Sequence, residues 1–187
     1  MAQLQADLGV QRRAAAVGAV VVTLAVYARL AALSAAPAVW VGVPFLVALA
    51  IIDWNVRRLP TAVIYVALTS VMFTAALVAV FTRDARPLVY GLLGMCGEWA
   101  FWRIVKSIYG EQMGWGDVRL GALLGLVIGP WGLVAMLAAI FVAMLAAVAY
   151  GIVKGARYRL PLGTFLVAGA LAVILIGPEP LAGVVRL

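Results

Sequence analysis

The sequence consists mostly of long apolar runs separated by short charged or proline-containing segments. Most runs are about as long as the helix that crosses the hydrocarbon part of a bilayer, and backbone in lipid must satisfy its own hydrogen bonds. We therefore expect an all-α, polytopic membrane helix bundle of about seven transmembrane helices. The seven runs lie at about residues 14–33, 38–52, 60–81, 87–108, 114–129, 131–153 and 161–177.

The first run has an alternative interpretation. Arg12 and Arg13 precede it and small residues follow it, as in a cleaved signal peptide. The run is long for such a peptide, and Pro37 is a poor neighbour for a cleavage site. We therefore favour an uncleaved N-terminal transmembrane helix within residues 1–37, followed by a core domain at 38–187.

The composition excludes several kinds of chemistry. The chain has no histidine, which excludes histidine-based catalysis and histidine metal ligands. Its single cysteine, Cys96, excludes an intrachain disulfide framework and a cysteine-based zinc site. The net charge of +7 is spread in small clusters between apolar runs, which is typical of membrane loops rather than a nucleic-acid surface.

The distribution of cations predicts the orientation in the membrane, because cytoplasmic loops are enriched in Lys and Arg. With the N-terminus inside, three cations lie at outer ends of the runs: Arg83, Arg86 and Arg186. Ten then lie at inner ends: Arg12, Arg13, Arg57, Arg58, Arg103, Lys106, Arg119, Lys154, Arg157 and Arg159. We expect a bacterial or archaeal cytoplasmic membrane protein with its C-terminus outside.

Two aspartates lie at the inner boundary in this orientation. Asp53 ends the second run and Asp117 begins the fifth. If helix packing brings them together, they cannot both ionise cheaply. The pair then shares one proton. The ionised carboxylate can then activate water, while the protonated one polarises a carbonyl and protonates a leaving amine. This is the chemistry of an aspartic protease, and it requires no cofactor or metal.

Two glycines precede the second aspartate in the stretch GWGD. Gly114 and Gly116 carry no side chain, so an extended substrate backbone could approach Asp117 closely. The same pattern equally fits a loop in which Asp117 is a helix N-cap. The glycines alone do not decide between these interpretations.

Three segments together resemble the prepilin peptidases, the type IV leader peptidase family. DWNVRRLP at 53–60 resembles the family's D-x-x-x-R-x-I-P segment, with Thr61 in place of the usual Asn. MGWGDVRL at 113–120 resembles its G-x-G-D-[VAI]-[KR]-L segment. LPLGTFL at 160–166 is similar to P-F-G-P-F-L, with Thr164 in place of the second proline. The resemblance covers roughly residues 38–177.

The resemblance implies an integral-membrane aspartic endopeptidase whose catalytic pair is Asp53 and Asp117 and whose motif glycines are Gly114 and Gly116. Such enzymes cut the short basic leader from prepilins and pseudopilins at the cytoplasmic face. The implied partner is a prepilin leader with its apolar helix, in a lipid membrane and without nucleic acid. Since the chain lacks the cysteine quartet of the long family members, it resembles the short form, for which S-adenosylmethionine is not implied.

Four further residues have both a functional and an ordinary interpretation. Arg58 fits substrate contact but also a positive-inside anchor, and Glu111 fits recognition of a basic leader but also a solvated loop acid. Trp115 fits a cleft wall or an interfacial anchor. Glu98 lies inside the fourth run, and we expect a buried structural or pairing role before a catalytic one.

Two other classes of function remain open at this point. A small transporter or channel subunit would use Asp53, Asp117 and Glu98 as proton or cation sites, although such acids more often lie near the bilayer midplane. A purely structural subunit of a secretion or pilus machine would not need the paired motifs.

Overall fold

The computed structural model describes residues 20, 21, 23, 24, 37–154 and 161–177, and these are almost entirely helical with no strand among them. Most of the first predicted run falls outside the described residues, so the N-terminal helix and the count of seven stay predictions. Residues 37–154 and 161–177 form six α-helices: α1 (Pro37–Val56), α2 (Thr61–Thr82), α3 (Arg86–Tyr109), α4 (Trp115–Ile128), α5 (Leu133–Lys154) and α6 (Leu162–Ile176).

The helix bounds follow the predicted runs to within a few residues. The largest difference is at α1, which continues past Asp53 to Val56. The helix stops there because Arg57 takes the left-handed conformation, with φ of 54°. The backbone N–H of Arg57 still donates to the carbonyl of Asp53 at 2.8 Å, which closes the last turn. Asp53 therefore lies inside the final turn of α1 rather than at its end.

Three of the described helices, α1, α2 and α5, are long and apolar enough to cross a membrane by length and composition. α4 and α6 are shorter, at 14 and 15 residues, and α3 carries charged side chains along its length. The outward faces of α2 and α5 expose large apolar side chains, which marks a surface that contacts lipid. Examples are Val66, Phe73, Phe81, Leu137, Phe141 and Ile152. The chain is a membrane protein.

Helix α4 forms the centre of the bundle. It packs against α3 on one side and against α2 and α6 on others. Its residues from Leu120 to Ile128 are all buried. Asp117 lies in the first turn of α4, and neighbouring helices surround the rest of α4. The packing of α4 in the core therefore fixes the position of this carboxylate.

The contact between α3 and α4 is built from glycines. A Cβ at Gly125 would overlap the carbonyl oxygen of Gly94, and a Cβ at Gly129 would lie 2.6 Å from the carbonyl oxygen of Tyr90. Small residues at such positions let two helix backbones approach closely, which is a common basis of helix association in membranes. This tight pair fixes the helix that carries Asp117 against α3.

Candidate active site

Asp53 is held by a segment that follows it by more than a hundred residues. Its side chain is 5% exposed in the last turn of α1. The backbone N–H of Thr164, in the first turn of α6, donates to Asp53 Oδ2 at 2.8 Å. Thr164 Oγ1 lies 3.2 Å from the same oxygen and also donates to the carbonyl of Ala50 at 3.0 Å. The start of α6 is thereby joined to the end of α1.

Asp117 occupies the third position of α4 and interacts with its own turn. Its Oδ2 accepts a hydrogen bond from the backbone N–H of Gly114 at 3.2 Å. Gly114 is the N-cap, so Asp117 is not the N-cap residue that the ordinary interpretation of GWGD supposed. Its carboxylate nevertheless stabilises the helix start, since the Gly114 N–H would otherwise lack a partner. The Asp117 side chain is partly buried, and it interacts electrostatically with Asp53 and Lys106.

The side chain of Leu59 connects the surroundings of the two aspartates. A Cβ at Gly116, next to Asp117, would lie 2.8 Å from Leu59 Cβ. A Cβ at Gly163 would lie 3.0 Å from Leu59 Cδ1 and 3.0 Å from Asp53 Oδ2. One leucine thus fills the space between the first turns of α4 and α6, and the end of α1 meets both helices at the same end of the bundle.

This geometry changes the role expected for Gly116. The sequence suggested that both motif glycines leave room for a substrate. Leu59 already occupies the space over Gly116, so that glycine permits close packing within the protein. A Cβ at Gly114 would lie 3.4 Å from Asp117 Oδ2, an ordinary contact, so the surface near Gly114 remains open.

The segment before Asp117 is fastened to α3 by Lys106. Its Nζ donates to the carbonyls of Met113 at 2.6 Å and Gly110 at 3.2 Å. Arg103 and Lys106 also lie 5.0 and 5.1 Å from the ring centre of Trp115, at distances typical of cation–π contacts. The Trp115 side chain is 47% exposed and belongs to the residue two positions before Asp117.

The model of the Type IV leader peptidase family matches residues 40–152 of this chain. The chain belongs to that family. The match includes both aspartates and all of the G-W-G-D stretch, and it stops before α6, which carries Thr164. Family membership and the apolar helices together identify a membrane protein of a peptidase family. No curated protein and no solved structure matches the chain.

The second family motif, DVRL, also joins two helices. Arg119 Nη1 donates to Thr61 Oγ1 at 3.1 Å, and its guanidinium lies 5.9 Å from the ring centre of Tyr65. Thr61 is the first residue of α2, so this bond ties the start of α2 to the first turns of α4. The residue that replaces the usual Asn of the family therefore still has a polar partner.

Two predicted substrate-binding residues lie apart from the aspartates. Arg58 and Glu111 are both exposed, and among the described residues neither makes a hydrogen bond or ion pair with Asp53 or Asp117. Arg58 follows the end of α1, which carries Asp53. Glu111 precedes the start of α4, which carries Asp117. They are free to contact another molecule at this end of the bundle.

Glu98 lies away from this site. It is 5% exposed in the middle of α3, and Trp102 Nε1 donates to its Oε2 at 2.7 Å. A Cβ at Gly125 would lie 2.9 Å from Glu98 Cγ, so the acid faces α4 eight residues beyond Asp117. At 1.5 Å per residue this is about 12 Å further along the helix. Within the described ranges, no three His, Cys, Asp or Glu side chains lie close enough to share a metal ion.

Sequence reasoning missed three residues of this site: Leu59, Lys106 and Thr164. The sequence indicates for Lys106 a place among the inner cations and for Thr164 a departure from the family pattern. The available signals were weak: Leu59 lies next to Pro60 in the first motif, and Thr164 follows a glycine in the third. Neither pattern states which distant residue is contacted.

Proposed function

We propose that this protein is an aspartic endopeptidase that removes the short basic leader from prepilin-like substrates at the cytoplasmic face of the membrane. Asp53 and Asp117 act as the general acid–base pair. The observation that carries the proposal is the meeting of α1, α4 and α6, which brings these two acids to one end of the bundle inside a chain of the leader peptidase family.

The chemistry follows from two carboxylates that share one proton. The ionised member accepts a proton from water as the water oxygen attacks the scissile carbonyl. The protonated member hydrogen-bonds the carbonyl oxygen, and a proton then passes to the leaving amine as the C–N bond breaks. The two carboxylates exchange every proton that the water, the carbonyl oxygen and the leaving amine give up or receive, so neither a metal nor S-adenosylmethionine is needed.

The substrate is expected to lie on the open side of this site. Gly114 leaves room for an extended backbone, and the exposed Trp115 offers an apolar wall next to Asp117. Glu111 supplies a negative charge for a basic leader, and the exposed Arg58 follows the end of α1. The part of Gly116 is to pack against Leu59 and thereby hold α4 near Asp53.

Aspartate-to-asparagine substitutions test the dyad. Asp53→Asn and Asp117→Asn should each lower leader cleavage by about 10²- to 10⁴-fold, the usual contribution of a general acid or base. The matched control is Asp84→Asn, which alters an exposed aspartate between α2 and α3 that pairs with Arg86. Each variant is co-expressed with a prepilin that the wild type processes, and cleavage is followed by mobility shift. Full processing by a well-inserted Asp53→Asn or Asp117→Asn variant would contradict the proposal.

Removal of metal ions provides an independent check. Purified protein in detergent should process the same prepilin at an unchanged rate in excess chelator and without added S-adenosylmethionine. Loss of activity that zinc restores would show that the two carboxylates do not suffice.

The orientation is tested by labelling single cysteines from outside intact cells. In a Cys96→Ala background, Asp84→Cys should react, whereas Arg57→Cys and Gln112→Cys should react only after the membrane is opened. The reason is the excess of cations at the end of the bundle that holds the aspartates. Labelling of position 57 or 112 in intact cells would place the aspartates on the wrong side for cytoplasmic leader cleavage.

A further inference from the structure

We propose that Thr164 is a positioning residue for Asp53: it holds Oδ2 of that carboxylate and leaves Oδ1 to accept the proton of the attacking water. This inference rests on the proposed function, since it concerns the geometry of the same dyad. It adds a residue from α6, which lies beyond the segment matched by the family model.

The backbone N–H is the main contact of Thr164 with Asp53. It lies 2.8 Å from Oδ2, whereas the hydroxyl oxygen lies 3.2 Å from Oδ2 and 3.0 Å from the carbonyl of Ala50. A hydroxyl has one hydrogen and can donate fully to only one of these acceptors. The hydroxyl therefore mainly ties α6 to the turn of α1 that precedes Asp53, and the N–H fixes the carboxylate itself.

The position of Thr164 in α6 explains why its N–H is available. It is the third residue of the helix, and the first N–H groups of a helix have no partner within it. Asp53 satisfies one of these groups from a different helix. The positive end of α6 thus faces the carboxylate to which this inference assigns the role of base.

Neighbouring atoms leave the held oxygen little room to move. A Cβ at Gly163 would lie 3.0 Å from Asp53 Oδ2 and 3.0 Å from Leu59 Cδ1. Such contacts are tighter than most Cβ contacts in proteins, so a Cβ at position 163 would require Asp53 Oδ2 or Leu59 Cδ1 to shift by a few tenths of an ångström. Asp117, in contrast, is held by an N–H three residues away in its own turn, at the longer distance of 3.2 Å.

The test compares variants that remove the two donors separately. Thr164→Ser keeps both donors and should retain kcat within about twofold. Thr164→Val keeps only the N–H and should lose about two- to tenfold in kcat, the worth of a neutral hydrogen bond. Thr164→Pro removes the N–H as well and introduces the proline of the family pattern. Because Asp53 Oδ2 accepts that N–H in this chain, kcat should fall about 10- to 100-fold, the worth of a hydrogen bond to a charged group. The KM should stay within about twofold in all three, because Thr164 contacts Asp53 and not the substrate.

The measurements use purified full-length protein in detergent with a prepilin that the wild type cleaves, and insertion and helix content are checked for each variant. Thr74→Val is the matched control, since its hydroxyl donates to the carbonyl of Ser70 within α2. Gly163→Ala is the second variant: its N–H groups are intact, but its Cβ would push against Oδ2, and kcat should fall about tenfold.

The outcomes separate this inference from the proposed function. Wild-type kcat in a folded Thr164→Pro variant overturns the inference, and so does a raised KM with unchanged kcat. If Thr164→Pro does not fold, unchanged kcat in Gly163→Ala overturns it. Asp53→Asn is assayed alongside. If that variant still cleaves, the proposed function itself fails, whereas an inactive Asp53→Asn beside fully active Thr164 and Gly163 variants removes only the role of Thr164.

Discussion

Two regions of this protein bury carboxylates, and they do so differently. Glu98, in the middle of α3, receives its hydrogen bond from Trp102 one turn away on the same helix and faces glycines of α4. Asp53 is held by Thr164 of another helix, at a point where the ends of α1, α4 and α6 meet. Both acids are 5% exposed, so burial does not distinguish them.

The comparison separates a carboxylate enclosed in a helix contact from two carboxylates at one end of the bundle. Glu98 has a partner on its own helix and lies at the contact between α3 and Gly125 of α4. Asp53 and Asp117 lie at the end of the bundle, next to the open surface at Gly114 and the exposed Trp115. An acid inside a membrane helix suggests a functional role by default. Its hydrogen-bond partners and whether another molecule can reach it indicate whether that role is structural or chemical.

The same comparison bears on the transporter alternative, which needs a path between the acids. The ring of Trp102 packs on Gly121, one turn beyond Asp117 on α4, and so lies between Asp117 and Glu98. With about 12 Å of helix separating the two acids and an indole in the contact, they form two separate sites rather than a chain of proton acceptors.

The largest expected effect concerns the glycine contact around Glu98. Gly125→Ala should lower the free energy of unfolding by about 3 kcal/mol, the upper range for overpacking, because its Cβ would overlap the backbone of Gly94 and approach Glu98. The matched control is Gly97→Ala on the exposed face of α3, whose Cβ meets no atom of the described residues within 4 Å. That variant should be as stable as wild type or more so by up to about 1 kcal/mol.

Unfolding in detergent would be compared for both variants. Equal stability of Gly125→Ala and Gly97→Ala would mean that α3 and α4 are not held at the distance that the glycines require. The contrast between Glu98, packed between α3 and α4, and the pair Asp53 and Asp117 would then no longer hold.

A smaller loss is expected when Glu98 loses its donor. Trp102→Phe leaves Oε2 buried without this hydrogen bond, which should lower the free energy of unfolding by about 1–3 kcal/mol. The double variant Glu98→Leu/Trp102→Phe removes both polar partners and should recover most of that loss, since paired removal is nearly neutral. If the double variant is as unstable as Trp102→Phe, the loss reflects the indole ring and not the unpaired acid.

Much of the fold could be predicted from the sequence, because long apolar runs in a membrane protein have few alternatives to helices. The predicted run 60–81 became α2 at Thr61–Thr82, and 114–129 became α4 at Trp115–Ile128. The predicted run 38–52 is shorter than α1, which continues to Val56. The helix ends at the left-handed conformation of Arg57, which arginine rarely adopts and which hydropathy does not indicate.

The candidate site was predictable only in part. Motif spacing singled out Asp53 and Asp117, but their roles stay a proposal. The contact between Thr164 and Asp53 could not be predicted, because it depends on which helices are neighbours in the bundle and joins residues far apart in the chain. The packing of Leu59 on Gly116 could not be predicted either, since a glycine next to an aspartate suggests equally an open surface and a close contact.

The surroundings of the two aspartates should respond in rate as well as in stability. Gly116→Ala pushes against Leu59 Cβ and shifts the start of α4 relative to Asp53, so kcat should fall about tenfold, and overpacking should lower the free energy of unfolding by about 1–3 kcal/mol. Gly114→Ala adds only an ordinary contact with Asp117 and should mainly raise KM if substrate lies there. Steady-state cleavage of a prepilin separates the two. An equal fall in kcat for both would mean that the glycines share one role.

The smallest effect is expected for Glu98→Gln. The amide oxygen can still accept the hydrogen bond from Trp102 Nε1, and the side chain keeps its shape against Gly125, so stability should change by less than about 0.5 kcal/mol. Leader cleavage should stay within about twofold of wild type, because the carboxylate is separated from the dyad by the Trp102 ring. In a transporter that used Glu98 as a proton site, loss of its charge would abolish function. A folded Glu98→Gln variant with cleavage reduced tenfold or more would join the two regions into one site and break the comparison between them.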